Sequence, residues 1–148
     1  MAKKEVLLDM KKRPGFILIA LLALSVALGG CDIFSAGKIR IVDIKMAESI
    51  DANLMPVDPA NTFPKGTSKI YCWFKWKDAE VNSQMMAKWH YVTENINILS
   101  YPVTIPRRSG TGSVALTMPK GKILPNGSYR VDLVLDNRKL KSCKFKVE

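Results

Sequence analysis

Beyond Cys31 the chain never carries an apolar stripe at helical spacing; it is cut into short runs of β-branched and aromatic residues by clusters of Pro, Gly and Asn. That punctuation leaves an all-β fold as the consistent solution. The runs predict seven strands: Lys38 to Met46, Ser68 to Lys77, Met85 to Thr93, Ile96 to Tyr101, Ser113 to Met118, Ser128 to Leu135 and Lys139 to Val147. Alternation places Val114, Leu116 and Met118 on one face of their strand, and Tyr129, Val131, Leu133 and Leu135 on one face of theirs. The best helical alternative, Asp78 to Lys88, has no apolar stripe beyond Val81 and Met85. Seven strands in about 110 residues fit an antiparallel sandwich formed by one domain over residues 38–148.

Three places carry a resemblance. The strand around Trp89, the segment Leu124-Pro125-Asn126-Gly127-Ser128-Tyr129-Arg130-Val131, and the closing Phe145-Lys146-Val147 resemble immunoglobulin-like and fibronectin-III-like domains of bacteria. The resemblance implies an immunoglobulin-like β-sandwich in which Trp89 fills the space between the sheets. It also implies that Tyr129 buries its ring while its hydroxyl bonds backbone at a corner. It implies no activity.

The chain has 148 residues, and its first 30 have a different character. The basic Lys11-Lys12-Arg13 precedes an apolar run from Phe16 to Leu28, about thirteen residues against the roughly twenty that a permanent membrane helix requires. The run ends in Leu28-Gly29-Gly30-Cys31, which resembles the lipobox of bacterial lipoproteins. This implies a signal-peptide helix over 1–30 and cleavage before Cys31. Covalent lipid on that cysteine would then hold the domain on a membrane through a tether over 31–37, which reaches at most about 25 Å. Met10 is an alternative start. Asp32 resembles the inner-membrane retention signal of enteric-type lipoproteins, so in a Gram-negative cell the domain is expected at the periplasmic face of the inner membrane.

Export makes Cys72 and Cys143 either a disulfide pair or two buried thiols. Their strand parities, shared with Phe74 and with Phe145, point both inward. No cofactor or metal is expected besides the lipid, since Cys72 and Cys143 lack the close spacing of zinc ligands. The carboxylates Asp43, Asp51 and Asp58 match neither a calcium loop nor a paired acid and base. His90 stands alone with parity opposite to Trp89, so it is expected in solvent, and no enzymatic set is complete. The run Arg107 to Ser113 has the glycines of a phosphate loop without its Gly-Lys-Ser/Thr ending, and is read as a basic hairpin connection.

Two features remain as binding candidates. Tyr71, Trp73 and Trp76 make their strand apolar on both faces, either as an exposed platform for polysaccharide or as a central strand covered by Ile50 to Pro64. Arg130, Lys144 and Lys146 alternate with core positions and form an outward cationic face, either for solubility or for acidic head groups or an acidic protein. Of 23 basic and 13 acidic groups, five and two fall in the first 31 residues, leaving a surplus of seven positive charges beyond them. Nucleic acid is set aside, because a basic patch without a reading module specifies none. The function expected is a lipid-anchored adaptor for another envelope protein, with glycan binding as the alternative.

Overall fold

The computed structural model describes residues 38–148. The expected signal helix over 1–30, the lipid site at Cys31, the sorting residue Asp32 and the tether lie outside the described residues. Ten strands follow in order: β1 (Arg40–Ala47), β2 (Ser49–Ile50), β3 (Pro56–Val57), β4 (Thr62–Phe63), β5 (Lys69–Lys77), β6 (Ser83–Tyr91), β7 (Ile96–Ile105), β8 (Gly110–Thr117), β9 (Gly127–Leu135) and β10 (Arg138–Val147). A three-stranded sheet in the order β1-β5-β8 packs against a five-stranded sheet in the order β4-β10-β9-β6-β7.

The seven long strands are those the alternation predicts. The pattern did not foresee β2, β3 and β4, which are two residues each and too short to show a period. β2 and β3 form a hairpin turned by Asp51, whose carboxylate accepts from the Asn53 and Met55 amides. β4 runs parallel to β10, pairing Phe63 with Val147. The β9–β10 hairpin turns on Asp136 and Asn137, both at positive φ, which matches the right-handed twist of the strands it joins.

The core is an aromatic stack set by β6, β9 and β10. Trp89 is 1% exposed and meets Phe145 edge-on at 6.2 Å, while Phe145 stacks on Tyr129 at 4.9 Å. Phe63 also meets Phe145 edge-on at 5.9 Å, which helps so short a strand as β4 hold its place. The Tyr129 hydroxyl donates to the Pro125 carbonyl at 2.5 Å, and the Tyr91 hydroxyl donates to the Asn126 carbonyl at 2.6 Å. Two buried phenols therefore satisfy the carbonyls of the corner before β9. Burial, with the nearby Tyr91 and Glu94, pushes the Tyr129 phenol up to about 12. Gly127 (φ +147°) is required here, because a Cβ would stand 2.5 Å from Thr93 Oγ1 and 2.7 Å from the Tyr91 ring.

Candidate functional site

Outward-facing residues of β6, β9 and β10 meet at one place on the five-stranded sheet. Its centre is Asp132 on β9, the middle strand of that sheet, a carboxylate only 4% exposed although it points to the outer face. Ser142 donates its hydroxyl to Asp132 Oδ1 at 2.6 Å, Arg130 Nε donates to Oδ2 at 3.2 Å, and Lys139 Nζ lies 3.1 Å from Oδ2. Burial works to raise the Asp132 carboxyl, but the Ser142 hydroxyl and the Lys139 and Arg130 charges outweigh it and hold the group below its ordinary value.

His90 is not the solvated residue its isolation in the sequence suggests. Its parity is as expected, but its ring is half-buried: Nδ1 meets Asn97 Oδ1 at 2.5 Å, and Nε2 lies 3.3 Å from Asp132 Oδ2 without hydrogen-bond geometry. Ser142, Asp132 and His90 thus stand with the acid in the middle. A nucleophilic triad requires the imidazole between hydroxyl and acid, whereas here Ser142 meets the acid directly. The site gathers charge around Asp132.

Around this centre the sheet is cationic. Lys144 lies directly opposite Arg130 in the β9–β10 ladder, Lys146 opposite Ser128, and Lys88 on β6 opposite Asp132. The three residues singled out by alternation, Arg130, Lys144 and Lys146, are therefore brought together on one face, as expected. Lys88, Lys139 and the buried Asp132 are its unforeseen members, since strand parity shows which face a residue takes but not which strands are neighbours. A shallow depression bordered by Asn61, Thr62 and Val92 opens beside Lys144 and Lys146.

The aromatic platform is not formed. Trp76 shares its face with Ile70, Cys72 and Phe74 and is 3% exposed, with its indole N–H donating to the Arg107 carbonyl at 2.9 Å. Trp73 points to the other face but is 2% exposed, because the excursion holding β2 and β3 folds over it and Leu54 O accepts its N–H at 2.9 Å. Only Tyr71 is half-exposed, with Lys69 Nζ 4.5 Å from its ring. Two indoles cannot stack on a sugar from these positions.

The Arg107 to Ser113 run is likewise structural, and only Arg107 to Ser109 form a connection, since β8 begins at Gly110. Its carbonyls at Arg107 and Arg108 tie it to Trp76 and to the Ala79 amide. The glycines allow close approach: a Cβ on Gly110 would stand 2.8 Å from Trp76 Cζ2.

Of the two readings of Cys72 and Cys143, the structure has free thiols and not a bridge. They belong to different sheets, Cys72 on β5 and Cys143 on β10. Burial, and then the neighbouring Cys143, pushes the Cys72 thiol far up; burial also raises Cys143, which is less deeply set. A thiol reagent at neutral pH is therefore expected to label Cys143 in the folded protein and Cys72 only on unfolding. Peptide mapping checks this, and equal labelling of both in the native state would contradict it.

No family model and no curated protein matches the sequence. Among solved structures, an immunoglobulin-like protein from Pseudomonas aeruginosa is similar over 77% of this chain and 99% of its own, with a TM-score of 0.55 at 11% identity. The Pseudomonas fluorescens alkylpurine DNA glycosylase AlkC (TM-score 0.45, 10% identity, 74% of this chain and 30% of that one) is a looser likeness. So is a Niemann-Pick type C2 protein from the Japanese carpenter ant (0.43, 13%, 74% and 92%). The domain is thus an immunoglobulin-like antiparallel β-sandwich, and the likeness extends to the fold alone.

Proposed function

We propose that this chain is a non-catalytic, lipid-anchored envelope protein whose domain serves as an adaptor, receiving an acidic surface of another envelope protein on the five-stranded sheet. The observation that carries this reading is the Lys144 and Arg130 pair. Like charges directly opposite in a ladder repel, and here Lys88, Lys139 and Lys146 surround them, with Asp132 as the one central carboxylate, already buried beneath its donors. An incoming carboxylate surface would relieve that repulsion and give both rate and orientation of docking. The membrane address rests on the Leu28 to Cys31 lipobox and the covalent lipid it implies, with Asp32 favouring the inner membrane in a Gram-negative cell. The glycan alternative loses its support with the burial of Trp73 and Trp76.

A carbodiimide, which joins a lysine amine to a carboxylate in contact with it, is the direct probe on the full-length protein in its own membrane. A discrete adduct is expected, weakened about tenfold or more by Lys144→Glu with Lys146→Glu and by raised salt. Arg130 is left intact because it also neutralises Asp132. An adduct that ignores both the charge reversal and the salt would overturn the reading, as would its absence.

A further inference from the structure

The two sheets differ in width, and this exposes one strand. Among the described residues, β7 ends the five-stranded sheet with no strand beyond it. Its residues Leu99, Tyr101 and Val103 lie opposite Trp89, Ala87 and Met85, so they share the face that elsewhere forms the core. Three strands cannot roof five, however. Leu99 is 41% and Tyr101 54% exposed, and Ile96, opposite the buried Tyr91, is 46% exposed. The result is an apolar shelf continuous with the core and open to solvent.

Edges of this kind are normally blunted by charge, by proline or by being short. β7 is ten residues long and has no charged side chain, in a chain whose net charge is +10; Pro102 and the bulge that leaves Ile98 without a partner on β6 are its protecting features. Charge returns only just beyond the strand. Glu94 lies before it, and Arg107 and Arg108 after it; all three are exposed, and among the described residues none of them is in an ion pair.

We infer that the β7 edge pairs with the β7 edge of a second copy, antiparallel about a two-fold axis at Tyr101. Tyr101 then meets its own equivalent, and Leu99 lies opposite Val103 of the other copy. Each Glu94 comes beside the other copy's Arg107 and Arg108, whereas a parallel arrangement would set those arginines against themselves. A two-fold axis makes each such contact twice, as an isologous interface requires. Pro102 supplies no N–H to the new ladder, so burial of the two shelves drives the association more than backbone pairing does. The cationic face on the outer side of the same sheet remains free, so the dimer would present two such faces.

The test uses full-length protein in its own membrane with Cys143→Ser, comparing Tyr101→Cys with the equally exposed control Val81→Cys under a mild oxidant. A reducible species of twice the monomer mass is expected for Tyr101→Cys only. For the detergent-solubilised protein, Tyr101→Lys is expected to weaken self-association at least tenfold by sedimentation, with tryptophan emission unchanged as a check on folding. The inference is overturned by a monomeric parent protein, by Tyr101→Cys crosslinking no better than the control, or by crosslinking to a different protein instead.

Discussion

Trp89→Ala is expected to destabilise the domain by about 3–5 kcal/mol, the range for removing a fully buried large aromatic side chain, whereas Trp89→Phe is expected to change stability by less than about 1 kcal/mol. The first value follows from position: the indole fills the space between sheets and meets Phe145 edge-on. The second follows from a defect in the same site. Trp89 Nε1 is buried without a hydrogen-bond partner, and an unmet buried donor is a penalty of about 1–3 kcal/mol. Phenylalanine removes that donor while leaving a cavity of roughly one small ring's difference, so the gain and the loss nearly cancel. Urea unfolding of the three proteins gives both values. A Trp89→Phe loss close to that of Trp89→Ala would show that the indole N–H is satisfied in solution.

The second large effect belongs to Asp132. Asp132→Asn keeps the size of the side chain but removes the charge and turns an amide N–H₂ toward Arg130, Lys139 or Ser142. A loss of about 1–3 kcal/mol at neutral pH is expected. It should fall short of the roughly 3–5 kcal/mol seen when a fully buried ion pair is broken, because Arg130 and Lys139 are 33% and 51% exposed and can take up water. The pH dependence has a definite sign. Asp132 titrates lower in the folded protein than in the unfolded chain. Its contribution is therefore complete above the unfolded carboxylate's value of about 3.9 and is lost as pH falls through the lower native value. Asp132→Asn should lack this acid-side decline; an identical acid limb in both proteins would show that the carboxylate is not held by its donors.

Strand parity explains both what was legible in the sequence and what was not. Alternation in Val114 to Met118 and Tyr129 to Leu135 places the core face directly, and the Pro-x-Gly-x-Tyr run gives the corner tyrosine its hydroxyl partner, found on Pro125. The outward positions of Arg130, Lys144 and Lys146 follow from the same period of two. Parity alone does not decide where a second layer covers a face: Trp73 points outward yet is buried, as in the reading that has Ile50 to Pro64 cover this strand, because the Asp51 turn carries Leu54 over it. Nor does it decide where neighbours come from distant strands. Nothing local marks Asp132 as the meeting point of Ser142, Lys139 and His90, since those contacts depend on β6 and β10 flanking β9. Cys72 and Cys143 face inward as their parity requires, but inward-facing residues on opposed sheets need not come within bonding distance.

The proposed docking has a place to occur only if acyl chains on Cys31 hold the domain at a membrane surface. Intact-mass measurement of the mature protein recovered from its native membrane decides this most directly. The prediction is a polypeptide beginning at Cys31 whose mass exceeds that of its residues by two or three fatty acyl groups and their glycerol. A chain that keeps residues 1–30, or one that starts elsewhere and carries no fatty acid, would contradict it.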